Sequence, residues 1–242
     1  MPAKQALLLI GHGSTRYKQA GDILRGHAEV LRVAGHTVAV GFLNGAPTVA
    51  EALQAVAGAA ARVVPFFMED GYFTRTAIPR ALAGASVRLC PPIGLHPAIP
   101  TIIERQALEA CRDLGVAASD SAVLLVGHGS ASAPGRPLAL HDHAGRLAAG
   151  ARFALVTSAC LEEPPFVPDA LSMLRAHPVI VVGYFANQGG HVRDDVPDLL
   201  AAEKDARGAA CPPVRFAGNV TDDPAMAGLI LAQAGYDVME GA

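Results

Sequence analysis

Two residue types that together bind transition metals, His and Glu, fall at matched positions of an internal repeat, and only its second copy holds the full set. Ala6-Leu-Leu-Leu-Ile-Gly-His-Gly-Ser14 repeats as Ala122-Val-Leu-Leu-Val-Gly-His-Gly-Ser130, which sets His12 against His128, 116 residues on. Gly41-Phe-Leu-Asn-Gly-Ala-Pro47 lies opposite Ala159-Cys-Leu-Glu-Glu-Pro-Pro165, and Gly71-Tyr-Phe-Thr-Arg-Thr-Ala-Ile-Pro79 opposite Gly189-Gly-His-Val-Arg-Asp-Asp-Val-Pro197. Both later matches are 118 apart, so one two-residue insertion in the second copy aligns everything. In that register His12, Asn44 and Phe73 face His128, Glu162 and His191. The second copy thus holds two imidazoles and a carboxylate, a donor set for Co(II), Fe(II) or Ni(II) that leaves coordination positions open, and one that also suits catalytic zinc. Neutral imidazole can also accept protons near neutral pH.

Each candidate has a plainer reading. A Gly-rich turn after a strand can cradle a phosphate or simply present a hydrogen-bonded His. Of the adjacent Glu162 and Glu163, repeat register selects Glu162, which leaves Glu163 as the solvated loop carboxylate. Asp194 and Asp195 suit helix capping, or could orient an imidazole. His27 and His143 fall on apolar helix faces and read as partly buried; His36, His96 and His177 read as turn residues. His141 neighbours His143 but points elsewhere on the helix.

The elements that must carry these residues alternate strand and helix. Strands are expected near 6–11, 37–43, 62–67 and 87–89, then 122–126, 153–158, 179–184 and 214–217. Helices follow most of them. One carries the apolar phase Ala20, Ile23, Leu24, Ala28, Leu31. Another opens at Thr48, with Glu51 at capping-box spacing; Pro79 marks a first helical turn, and a further helix runs over 100–114. In the second copy helices fall near 137–149, 167–176, 196–206 and 223–234. Asp194, Asp195 and Pro197 mark one start, and Asp222, Asp223 and Pro224 another. Gly115–Ser121 is the expected linker.

Continuous apolar strands alternating with helices indicate an α/β protein with two parallel sheets, each covered on both faces. Ligands in such sheets bind beyond the carboxyl ends of the strands. His128, Glu162 and His191 each follow a strand, so they are expected on one rim.

Composition narrows the function classes. The 242 residues are 51% hydrophobic and 17% charged, which suits a globular protein with a large core. Net charge is −3, Trp is absent and aromatics make up 5%, which argues against nucleic-acid binding. Cys90, Cys111, Cys160 and Cys211 form no close pair, against a zinc ribbon or iron–sulfur cluster and in favour of a reducing, cytoplasmic setting. No segment has membrane-spanning length or signal-peptide form.

The two Gly-His-Gly-Ser turns and the Gly-His-Val-Arg-Asp-Asp-Val-Pro segment, in order and repeated, resemble the class II tetrapyrrole chelatases, the sirohydrochlorin cobaltochelatase and ferrochelatase group. The resemblance covers nearly the whole chain. It implies two tandem Rossmann-like lobes with a cleft between them, divided here as 1–118 and 119–242. It also implies a lyase that inserts Co(II) or Fe(II) into sirohydrochlorin without ATP, on the way to cobalamin or sirohaem. The metal, Co(II), Fe(II) or Ni(II), is then a substrate, and no permanent cofactor is expected. His128, His191 and Glu162 match the family's metal-handling residues, although its long members commonly keep the competent set in the first half. Arg75 and Arg193, then Arg16 and Arg136, are expected to hold the carboxylates of the macrocycle. The expected assembly is a two-lobed monomer, further association left open. The competing readings are a metal or tetrapyrrole carrier without turnover, a protohaem ferrochelatase, disfavoured by the low aromatic count, and a Ser130 hydrolase, for which no Gly-x-Ser-x-Gly elbow exists.

Overall fold

A computed structural model of the protein describes residues 5–15, 18–131, 138–187, 196–208 and 212–236. The expected elements form, with ends moved by a few residues. The first sheet contains β1 (Gln5–Gly11), β2 (Val38–Phe42), β3 (Ala60–Pro65) and β4 (Val87–Leu89), all parallel, in the order β2-β1-β3-β4. The second contains β5 (Ala122–Gly127), β6 (Leu155–Cys160), β7 (Val179–Gly183) and β8 (Val214–Asn219), all parallel, in the matching order β6-β5-β7-β8. The central strands β1 and β5 are apolar along their length because helices cover both faces of each sheet.

The helices are α1 (Asp22–Val33), α2 (Val49–Ala55), α3 (Ile78–Ala81), α4 (Ile99–Leu114), α5 (Leu138–Ala149), α6 (Val167–Met173), α7 (Val196–Arg207) and α8 (Met226–Gln233). Helix α1 buries Leu24, His27, Ala28 and Leu31, the three-and-four spacing read from the sequence. The capping box of α2 forms as expected: the Glu51 N–H donates to Thr48 Oγ1, and the Thr48 N–H to Glu51 Oε2. In the first core Ala6, Leu8 and Ile10 of β1 pack with Val49, Ala52, Val63 and Ile78. In the second, Leu124 and Val126 of β5 pack with Val167, Leu171 and Val181.

The chain forms two compact units, Met1–His96 with Pro224–Ala242, and Pro97–Asp223. These are not the sequence repeats. Helix α4 follows the first sheet in the chain but packs on β7, β8 and α5 of the second unit. Helix α8 closes the second repeat yet packs on α1 in the first unit. Arg62 of β3 fixes it there, donating to the carbonyls of Ala234 and Gly235 at the helix end and lying 4.8 Å from the Tyr236 ring centroid. Each repeat therefore lends one helix to the other's unit.

Two sequence expectations change as a result. Gly115–Ser121 lies between the two repeats but inside the second compact unit: Gly115 ends α4 in the left-handed conformation (φ 66°), and buried Ser121 donates to the Ala117 carbonyl. Asp222 and Asp223 do not start α8 as caps. Ala225 occupies the cap position, and Asp223 is buried in an ion pair with Arg105. No helix among the described residues is long and apolar enough to cross a membrane.

Candidate metal-handling site

In the order β6-β5-β7-β8 the chain leaves β5 toward β6 on one side and β7 toward β8 on the other. Connections that diverge this way open a crevice beyond the carboxyl ends of the two central strands. His128 follows β5 at that position, and Glu162 stands just past the end of β6. The Glu162 N–H donates to the His128 carbonyl at 2.9 Å, which extends the β5–β6 ladder past both strand ends and sets the two side chains next to each other. His128 Nδ1 lies 3.6 Å from Glu162 Oε2, and both side chains are a little over two-fifths exposed. His128 Nδ1 donates to the Gly129 carbonyl at 3.1 Å. A carbonyl only accepts, so that bond needs the proton on Nδ1, which in the neutral ring leaves the lone pair on Nε2, the form an imidazole needs to bind a metal or take a proton.

The turn that presents His128 depends on two neighbours. Gly129 is left-handed (φ 73°), and a Cβ there would lie 2.8 Å from both Cys160 Cβ and Glu163 Cγ. Glu163 is only 2% exposed, and its Oε1 accepts the Ser130 N–H at 2.9 Å. The assignment of Glu163 as the solvated carboxylate is thus corrected. The chain direction after β6 sends Glu162 outward beside His128 and Glu163 inward under the turn. Sequence reasoning missed this role; the only local signal is that Glu163 faces Gly45 in the repeat register. Ser130 contributes a backbone donor here, in agreement with its reading as a turn residue.

The equivalent place in the first unit has the same frame and different chemistry. The Asn44 N–H donates to the His12 carbonyl at 2.8 Å, the counterpart of the Glu162–His128 bond. His12 Nδ1 donates to the Gly13 carbonyl at 2.9 Å, and Asn44 Nδ2 lies 3.3 Å from Nε2. The nitrogen that would bind a metal therefore accepts an amide hydrogen. Phe73, the residue that matches His191 in the repeat register, stands edge-on to the His12 ring at 4.6 Å between centroids. A neutral amide and a phenyl ring make this a poor metal site.

Other expected residues fall as follows. His191, Arg193, Arg136 and Arg16 lie outside the described residues, as do Asp194, Asp195 and Cys211. Arg75 is exposed, and its Nε donates to Asp70 Oδ2 at 2.8 Å. Burial raises the Asp70 pKa, but hydrogen bonds from Thr74 and Arg75 and the Arg75 charge outweigh it and hold the carboxyl below its ordinary value. His27 and His143 are buried and meet Phe66 and Tyr184 respectively, at ring distances of 5.9 and 5.6 Å. His141 Nδ1 reaches inward to Ser158 Oγ at 2.8 Å. No group of three or more His, Cys, Asp or Glu residues placed to share one metal ion occurs among the described residues.

The two halves share strand order, turn geometry and rim position, and the sequence profile of one family matches both. The CbiX profile covers residues 6–110 and again 122–234. The chain belongs to the CbiX family. Each sequence half is one CbiX unit, which accounts for the paired rims. A relative in Halobacterium salinarum, named a probable sirohydrochlorin cobaltochelatase, is 25% identical over 224 residues, covering 80% of this chain and 76% of its own. Among solved structures, a multi-domain protein of Deinococcus radiodurans with structural similarity to chelatases superposes with a TM-score of 0.81 at 28% identity. The match covers 99% of this chain but 56% of that one, so this chain spans little more than half its length. A CbiX of denitrifying bacteria, described as the terminal enzyme for siroheme biosynthesis, superposes with a TM-score of 0.68 at 26% identity, over 95% of this chain and 98% of its own.

Proposed function

We propose that this CbiX-family protein is a metal chelatase, a lyase that inserts Co(II) or Fe(II) into sirohydrochlorin without ATP, with the chemistry in the second repeat. The observation that carries this reading is the apposition of His128 and Glu162 at the strand rim, set against the amide-blocked His12 at the equivalent rim. The family relatives named for sirohydrochlorin chelation or siroheme synthesis support the substrate assignment.

In this proposal His128, Glu162 and His191 take the divalent ion from solution. Both ligand side chains described are exposed, so the ion can arrive and leave without unfolding the site. Insertion exchanges two pyrrole N–H protons for one divalent cation. As the ion leaves, the freed Nε2 lone pair of His128 takes one of these protons, and the second passes to water at the exposed rim. Arg75, Arg193, Arg136 and Arg16 bind the peripheral carboxylates. Protein-bound sirohydrochlorin can be followed anaerobically by absorbance with Co(II), Fe(II) or Ni(II) added. Metal insertion faster than in protein-free solution supports the chelatase. Tight binding of metal or macrocycle with no acceleration identifies a carrier and overturns it.

A further inference from the structure

The chain has eight Phe, four Tyr and no Trp, and three of these twelve rings gather at the rim of the first sheet. Phe67, just past β3, stacks on Phe73 at 5.9 Å with 27° between the planes. Tyr72 meets Phe73 at 5.6 Å, and Phe73 meets His12 edge-on. Tyr72 is 60% exposed and Phe73 38% exposed, although exposed aromatic area is costly to leave in water.

This rim is built and held. Residues Phe73–Ala77 form a single π-helical turn, a form that concentrates at functional sites. The Gly71 N–H donates to Thr74 Oγ1, Thr74 Oγ1 donates to Asp70 Oδ1 at 2.6 Å, and Arg75 closes on the same carboxylate. The network fixes the chain on both sides of Tyr72 and Phe73. The rings also stand at the crevice between β1 and β3, the place where a sheet of this order binds ligands.

The geometry points to a stacking surface: the more exposed Tyr72 receives the flat face of a conjugated macrocycle, Phe73, whose plane stands at 72° to Tyr72, meets it edge-on, and Arg75 meets one of its peripheral carboxylates. This rests on the proposed chelatase reading. Occupant and site match in two respects. A conjugated ring presents a π-face to the Tyr72 ring and to the edge of Phe73, and its carboxylates match the exposed Arg75 guanidinium. Asp70 offsets much of that cationic charge, so the rings rather than the arginine carry the affinity.

The test uses the full chain with metal-free sirohydrochlorin, titrated by absorbance, and Co(II) alone, titrated by calorimetry. Stacking a flat conjugated ring on one aromatic side chain changes affinity by about 5- to 30-fold. Tyr72→Ser is expected to weaken macrocycle binding by that factor and leave Co(II) affinity as in the parent. Tyr72→Phe, which keeps the ring, is expected to bind like the parent. Because Tyr72 is mostly exposed, its loss leaves the core intact. Unchanged macrocycle affinity in Tyr72→Ser overturns the stacking surface alone, provided the parent inserts metal. A parent that binds the macrocycle through Tyr72 yet inserts no metal overturns the chelatase and leaves the surface standing. A parent that does not bind the macrocycle overturns both.

Discussion

Replacing Glu163 with Ala removes the acceptor that holds the His128 turn. The Ser130 N–H then loses a 2.9 Å bond to a carboxylate oxygen that is almost wholly shielded from water. Hydrogen bonds to charged groups contribute about 1.5–3 kcal/mol, and a stranded buried donor costs a similar amount. If that energy is what keeps His128 beside Glu162, its loss appears as weaker metal binding by about 10- to 100-fold. That is the usual effect of removing a group that orients a ligand. Calorimetric titration with Co(II), with folding checked by circular dichroism, measures it. Glu163→Gln keeps an oxygen at the Oε1 position and is expected to stay within about 5-fold of the parent. The reasoning is refuted if Glu163→Ala binds Co(II) like the parent, or if Gln fares as badly as Ala. The first result would mean that the turn holds itself. The second would mean that charge at this position, and not the hydrogen bond, matters.

Other expected outcomes follow from the same structure. Asp70→Asn removes the negative partner of Arg75 and is expected to tighten binding of metal-free sirohydrochlorin about 2- to 5-fold at low salt, less at high salt, by absorbance titration. Arg62→Leu strips two carbonyl contacts from the end of α8, and hydrogen exchange over residues 226–236 is expected to speed about 10-fold, as a loss of roughly 1.4 kcal/mol would give. Thr48→Ala breaks the capping box of α2, at a cost of about 1 kcal/mol at neutral pH by denaturant unfolding. Hydrogen bonds from Thr48 hold the Glu51 carboxyl below its ordinary value. A depressed carboxyl contributes stability above its unfolded pKa and loses it as the pH falls through the folded value. The backbone N–H of Thr48 supplies the larger part of that effect and survives in Thr48→Ala, so only the hydroxyl's part is lost and the Thr48→Ala penalty is expected to shrink modestly in acid, below the usual glutamate range.

Much of this was legible because the repeat supplies its own internal alignment. The 116- and 118-residue offsets correspond in the structure to paired bonds, Asn44 to His12 and Glu162 to His128, and the two-residue insertion falls between α5 and β6, where Ala151 takes φ 48°. Strand positions were legible from apolar runs, since parallel strands buried on both faces leave little room for polar residues. Glu162 and Glu163 could not be separated by burial from sequence, because adjacent loop residues of one type differ only in where the turn sends them. The exchange of α4 and α8 was hidden for a related reason. Both helices carry ordinary amphipathic or apolar patterns, and pattern alone does not say which sheet receives them. Asp223 looked like a cap and became an ion-pair partner because Arg105, distant in sequence, reaches it. The low aromatic count argues against nucleic-acid binding and against a protohaem ferrochelatase. It concealed a local concentration at Phe67, Tyr72 and Phe73.

The central claim is that the second repeat, and not the first, handles the metal. The most direct measurement compares rates of Co(II) insertion into sirohydrochlorin for the parent, His128→Ala, Glu162→Gln and His12→Ala under one set of conditions. The account predicts a loss of at least about 100-fold for His128→Ala, a loss of about 10-fold or more for Glu162→Gln, and a rate within about 3-fold of the parent for His12→Ala. Equal losses for His12→Ala and His128→Ala would contradict it.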